Sequence, residues 1–249
     1  ALFRGAERFA GRMTDHFVTV ADAMRDQYLA AGISQADDYT RIPSGFDLQP
    51  FLDAENSPTK RASLGLSPGD FVVGKIARLF ELKGHDDLFA IAPRLAKRIP
   101  NIRFLLVGDG VWRGRFERLA KEIGCGQNFI FTGLVPPSEI PSLVGVMDAL
   151  VHLSRREGLP RALPQAMAAA KPVVAFDCDG AGEVCLDGKT GHLIEPGDLA
   201  KLKERLAKLA NDAPLRTALG QAGRKVVEEE FTVEQLVERQ YELYKRLLA

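Results

Sequence analysis

The chain is short of the features that would place it in several large classes. It has three cysteines, Cys125, Cys178 and Cys185. That is an odd number without metal-ligand spacing, which fits a reducing cytosol better than a disulfide framework. No run of 18 apolar residues is present to cross a bilayer, and the N-terminus lacks a signal-peptide pattern. Neither sign of charge prevails, with 33 Lys plus Arg against 33 Asp plus Glu. A neutral balance gives no support for a nucleic-acid binder or for binding to a strongly anionic membrane. There is no H-E-x-x-H and no cysteine–histidine cluster, so no metal site is indicated. Ser44, Ser154 and the cysteines have no base pattern beside them that suggests nucleophilic catalysis. Gly108-Asp109-Gly110 is a tight turn without the G-x-G-x-x-G spacing, which leaves a nicotinamide cofactor unsupported.

What is present is a core. With 249 residues, 46% of them hydrophobic, the chain can fill one or two domains. From Phe71 onward short apolar runs alternate with amphipathic ones. Strands are predicted at 71–77, 102–107, 129–133, 149–153, 172–176 and 191–195, with helices between them at about 85–98, 112–123, 138–147 and 163–170. Strands apolar on both faces and separated by helices predict an α/β fold, a Rossmann-like doubly wound parallel sheet. Ahead of it stand a helix over 1–16, a strand at 16–20, a helix over 22–31 ended by Gly32, and a polar linker over 53–60. Behind it come three helices with Asp198, Asp212 and Thr232 as caps, the last in a capping-box pattern with Gln235. The chain opens on Ala1 in an Arg-rich segment, and we expect it to be a piece of something longer.

The organising stretch is SRREGLPRALPQAMAAAKPVVAF, residues 154–176. Glycine in its turn lets a ligand approach the backbone, and Pro160 and Pro164 hold off the helix until about Ala162 or Leu163. A helix start there gathers free N–H groups, which suits an anion, although an ordinary loop–helix–strand connection has the same look. Arg78 and Lys83 follow the first sheet strand, where open α/β folds bind ligands. They could clamp a diphosphate, or simply be solvated surface cations. Glu157 and Gln165 lie eight residues apart, a separation that suits a ligand with a diphosphate and sugar hydroxyls. His152, in an apolar strand, reads as a satisfied core histidine rather than an acid–base group, and Glu183 as a helix-start carboxylate.

Six motifs in order resemble the donor-binding half of a retaining glycosyltransferase of family 4, with the GT-B fold. They are IPSGFD at 42–47, ARLFELKGHDDL at 77–88, LLVGDG at 105–110, FTGLV at 131–135, EGLPRALPQAMAAAKPVVAFD at 157–177 and DGKTGHLIEPGD at 187–198. The resemblance implies that Arg78 and Lys83 bind the donor diphosphate and that Glu157, first of an E-x7-E pair, faces the donor sugar. It also implies that the stretch Gly158, Leu159, Pro160 and Arg161 touches sugar or phosphate through its backbone, and that Leu134 and Val135 lie along the base. The implied activity moves a sugar from a nucleotide-sugar donor to a hydroxyl acceptor, glycan or lipid-linked, with retained configuration and no metal or other cofactor. Its implied place is cytoplasmic, peripheral to the inner face of a membrane, in polysaccharide or lipopolysaccharide synthesis. Residues 1–45 would be the end of an N-terminal acceptor domain, 46–230 the donor domain, and 231–249 a helix crossing back. The second glutamate of the pair is Gln165 here, which predicts weaker donor binding. That leaves a non-catalytic sugar-nucleotide-binding relative and a GT-B sugar-nucleotide epimerase as rival readings.

Overall fold

The computed structural model describes residues 2–249; the predicted helix start at residue 1 lies outside them. A short block comes first: α1 (Leu2–Gly11), β1 (Phe17–Thr19), α2 (Asp22–Ala30) and β2 (Tyr39–Arg41), with β1 and β2 paired in parallel. The first helix is shorter than the predicted 1–16. Beyond Gly11 the Thr14 hydroxyl donates back to the Ala10 carbonyl at 3.0 Å, which favours a turn over another helical turn.

A short helix α3 (Gln49–Leu52) precedes the expected polar linker, and α4 (Pro58–Ser63) forms over the linker's end. Ser57 caps α4 by accepting from the Lys60 N–H at 3.3 Å, and proline is well placed in a first turn. Arg61 is buried from this helix and donates to the carbonyls of Ser67, Asp70 and Val146. The polar composition hid a segment held by buried hydrogen bonds.

The main sheet follows as predicted. Its strands are β3 (Phe71–Ile76), β4 (Ile102–Val107), β5 (Phe129–Gly133), β6 (Ala149–His152), β7 (Val173–Phe176) and β8 (Gly191–Ile194). The helices between are α5 (His85–Arg98), α6 (Arg113–Glu122), α7 (Ile140–Gly145) and α8 (Ala162–Ala168), and α9 (Leu199–Asn211), α10 (Ala213–Glu230) and α11 (Val233–Leu248) close the chain. All pairings are parallel and the strand order is β5-β4-β3-β6-β7-β8. The order reverses between β3 and β6, so the loops leaving those two strands diverge and open a crevice at their carboxyl ends.

Two cores sandwich the sheet. One is rich in phenylalanine and lies under α5, α6 and α9; the other is built of small and branched residues under α8 and α7. The predicted caps hold: Asp198 accepts from Lys201 N, Asp212 from Leu215 N, and Thr232 from Gln235 N. The capping box at Thr232 is only half formed, because the Gln235 amide turns away to the Glu229 carbonyl. The outer side of α11 leaves Val237, Tyr241, Tyr244 and Leu247 exposed.

Candidate functional site

The crevice between β3 and β6 is a cleft of about 540 Å³. Its walls include Arg78 and Lys83 from the β3 loop, Val135 after β5, and Glu157, Pro160, Arg161 and Gln165 from the organising stretch. Seven of the ten predicted site residues therefore meet around one cavity, although they are spread over 78–165 of the sequence.

Glycines set the first wall. A Cβ on Gly84 would lie 1.9 Å from the Leu153 carbonyl oxygen, and its φ is +65°, so only glycine lets the Lys83 loop cross the end of β6. A Cβ on Gly110 would lie 2.3 Å from the Leu79 carbonyl oxygen, so the tight turn after β4 backs the segment carrying Arg78. Leu79 N also donates to the Asp109 carbonyl at 2.9 Å, and Arg155 N to the Leu82 carbonyl at 2.8 Å. These bonds tie the cation loop to its neighbours on both sides. Arg78 is exposed, its guanidinium 5.9 Å from the centre of the Phe80 ring.

The second wall carries the carboxylate. Glu157 Oε1 accepts from the Lys83 ammonium and from the Ser154 hydroxyl, the latter at 3.1 Å. The Lys83 and Glu157 side chains each keep a quarter of their surface exposed, so the pair faces the cleft rather than the core. Half-buried Gln165 lies further along α8. Arg155 is occupied elsewhere, donating to both Asp87 oxygens at 2.8 and 2.9 Å.

Three predicted residues fall outside the cleft walls. Leu134 is 85% exposed, because Gly133 turns at φ +72° and points the next side chain outward. Gly158 faces the opening block, where its Cβ would meet Met24 Sδ at 3.0 Å, and its carbonyl accepts from Gly180 N. Leu159 packs against the small-residue core. Pro160 contributes its ring, having no N–H to give.

His152 departs from the expectation of a satisfied core histidine. It is buried at 5% exposure, yet it lines the cleft and its Nε2 has no hydrogen-bond partner among the described residues. That nitrogen lies 4.0 Å from Glu157 Oε1. Burial first, and then the cations Lys75 and Lys83, push its pKa down to about 3, so the ring is neutral.

One acidic residue, Asp179, escapes a sequence reading, and a second, Glu183, is read without its partner helix. Asp179 holds Glu157 N through one oxygen and Gln27 Nε2 through the other, each at 2.6 Å, with its own backbone at φ +48°. Glu183 does cap a helix start, but a remote one. It accepts from Asp22 N and Ala23 N at the head of α2, and from Arg41 Nε, at 2.9 to 3.0 Å. The opening block is thereby fastened to the loop that carries Glu157. No sequence spacing could signal contacts across some 160 residues.

Fold and site together define an α/β domain with a cation-and-carboxylate cleft at its topological switch point, suited to an anionic, hydroxyl-bearing ligand. The sequence model of the family described as glycosyl transferases group 1 matches residues 56–226, and the chain belongs to that family. It is 29% identical over 244 residues to the putative glycosyltransferase EpsD of Bacillus subtilis, covering 95% of this chain and 63% of that one. It is 31% identical over 232 residues to a GDP-mannose-dependent alpha-(1-6)-phosphatidylinositol monomannoside mannosyltransferase of Mycolicibacterium smegmatis, covering 89% and 59%. The structure superposes on Anabaena HepE, crystallised with UDP, at a TM-score of 0.85 and 25% identity, covering 98% of this chain and 66% of that one. The chain thus spans about six-tenths of the length of these curated relatives. Among the described residues no helix is long and apolar enough to cross a membrane.

Proposed function

We propose that this chain is the donor-binding part of a retaining glycosyltransferase of the family 4 type, which takes a sugar from a nucleoside-diphosphate sugar to a hydroxyl acceptor. The observation that carries the reading is the single cleft at the switch point, where three cations, a carboxylate, an amide and an apolar wall converge. In this reading Arg78 and Lys83 receive the diphosphate, Arg as a planar fork and Lys as a point charge. Glu157 accepts from a sugar hydroxyl, and Gln165 faces the ribose. Val135, with Pro137 and Ile140 beside it, lies along the base, next to the exposed Leu134.

The chemistry follows from charge. The leaving diphosphate gains negative charge as the glycosidic bond breaks, and fixed cations aimed at it favour that state over the bound donor. Arg78 and Lys83 supply this stabilisation with no metal invoked. For retention, we assign the acceptor's proton to the donor phosphate on the same face of the sugar. Lys83 rests on Glu157 in the free protein, so donor binding has to draw its ammonium from carboxylate to phosphate.

The acceptor side belongs to chain beyond the cleft. We place domain boundaries near 45/46 and 230/231, where the Phe46 N–H donates to the Phe231 carbonyl at 3.1 Å and the two chain crossings pack together. The exposed side of α11 would then meet the acceptor domain, and the whole enzyme would work in the cytoplasm at the inner face of a membrane. These 249 residues alone are expected to bind donor and to transfer sugar poorly. One observation favours a second reading, a donor-binding relative without transfer: Gln165 stands where the family motif has glutamate.

Thermal unfolding against UDP, GDP, ADP and their sugar conjugates tests the proposal. Saturation at about 100 times Kd stabilises by roughly 2.7 kcal/mol, a shift of several degrees. One nucleotide series should give that shift and lose it in Arg78→Ala and Lys83→Ala. Stabilisation by no nucleotide, or an equal shift in both variants, would refute the assignment.

A further inference from the structure

Four buried side-chain nitrogens lack a hydrogen-bond partner among the described residues close to the carboxyl ends of β3 and β6: Lys75 Nζ, both nitrogens of His85, and His152 Nε2. Lys75 and His85 point away from the cleft. Lys75 alternates in register with Phe71 and Val73 of the phenylalanine core, and the His85 ring centre lies 5.1 Å from that of Phe116. Only His152 of the three opens onto the cleft.

We infer that His152 is a positioning residue for Glu157, taking hold of its carboxylate when the donor diphosphate draws Lys83 away. This rests on the donor-site reading above and goes beyond it.

In the free protein Glu157 Oε1 has two donors, the Lys83 ammonium and the Ser154 hydroxyl. Once Lys83 turns to phosphate, the hydroxyl alone would orient a carboxylate that has to meet a sugar hydroxyl. A partly buried carboxylate stripped of a charged donor pays for the lost bond. His152 Nε2 stands 4.0 Å from that same oxygen, and closing by about 1 Å brings the pair into hydrogen-bond range.

The chemistry of the replacement matters. Burial and the neighbouring Lys75 and Lys83 keep the imidazole neutral, so it can offer one N–H without a positive charge. Its ring is fixed in β6, and Ser154 follows two residues on, so the two donors approach one carboxylate oxygen from a short, rigid segment. The other oxygen, Oε2, is left to accept from the sugar.

Calorimetry on the 249-residue chain separates the roles. The probe pair is whichever of UDP, GDP or ADP the wild type binds, together with its hexose conjugate. His152→Leu should bind the nucleoside diphosphate within about 2-fold of wild type, yet lose about 10-fold for the sugar conjugate, the worth of one hydrogen bond. His152→Gln, whose amide can place an N–H in the same space, should recover most of that loss. An unchanged ratio of the two affinities in His152→Leu overturns the inference.

A second arm is independent of any nucleotide. In ligand-free Lys83→Met the carboxylate has already lost its ammonium. Nitrogen-15 NMR should then show His152 Nε2 protonated, hydrogen-bonded and protected from exchange, and this signal should vanish in Lys83→Met combined with Glu157→Gln. An imidazole that stays free in Lys83→Met also overturns the inference. Failure of the donor-site reading shows separately, as a wild type that binds none of the three nucleotides.

Discussion

The two faces of the central sheet are built on different scales. On one, Phe89, Phe104, Phe116 and Phe129 form a stacked column, with Phe89 and Phe129 centroids 4.2 Å apart and nearly parallel at 2°. On the other, α8 presents Ala162, Ala166 and Ala168 and is pressed close by α10, where a Cβ on Gly220 would lie 2.0 Å from the Ala170 carbonyl oxygen. The broad aromatic face buries area and so contributes stability. The thin face sets position: because α8 lies so near the sheet, the loop before it delivers Glu157, and its first turns deliver Gln165, beside the cations of the β3 loop. Each face also buries ionisable groups, Lys75 and His85 on the first and His152 on the second. Burial alone does not mark a site; opening onto the cleft does.

The comparison breaks most visibly at Phe129. Phe129→Ala should cost about 3–5 kcal/mol, since it removes the centre of the column and leaves a cavity that its stacked neighbours cannot close. Nucleotide affinity, measured below the melting range, should stay within about 2-fold. Equal damage to both would mean that the aromatic face also positions the cleft.

Lys75 sharpens the contrast in the opposite direction. Burial lowers its pKa to about 7, against 10.5 for an ordinary lysine. Between these values the unfolded chain holds the extra proton, so stability rises with pH from about 7 to 10.5 and the full penalty applies below 7. Lys75→Met, similar in volume, should therefore raise stability at pH 6 by about 1–4 kcal/mol, with the gain shrinking towards pH 10. Urea unfolding at the two pH values measures it. A loss at pH 6 would show that the lysine has a partner outside these residues.

Sequence alone carried the six strands, the helices between them and the caps of the three helices that follow, because both faces of the sheet are covered and its strands are largely apolar. It also carried Arg78, Lys83, Val135, Glu157, Pro160, Arg161 and Gln165 to one cleft. What it could not carry depended on a second segment. Strand alternation can put His152 on a face, but whether its Nε2 finds an acceptor depends on the loops folded over it. Glu183 reads correctly as a helix-start carboxylate, yet the helix is α2, brought to it only by tertiary packing. The segment read as a polar linker contained its own helix signal, Ser57-Pro58 ahead of a basic turn, masked by polar composition. Leu134 was displaced by one left-handed glycine, a backbone event that leaves no periodicity behind.

The finest test of the two faces is a single overpacking substitution. Ala166 is fully buried in the middle of α8, one residue beyond Gln165 and nine beyond Glu157. Ala166→Leu inserts three carbons where the helix lies close to the sheet, and it should cost about 1–3 kcal/mol, less than Phe129→Ala. Its mark on binding should nevertheless be the larger, because the helix can relieve the crowding only by moving outward and taking Gln165 with it. Displacement of catalytic-site groups by about 1 Å can cost 100-fold where geometry is demanding. We expect Ala166→Leu to lose at least about 10-fold in nucleotide affinity while melting cooperatively and retaining its circular dichroism. If it binds nucleotide as well as wild type does, position in this cleft is not set by the thinness of that face, and the rigidity must lie in the glycine-pinned loop at Lys83 and Gly84 instead.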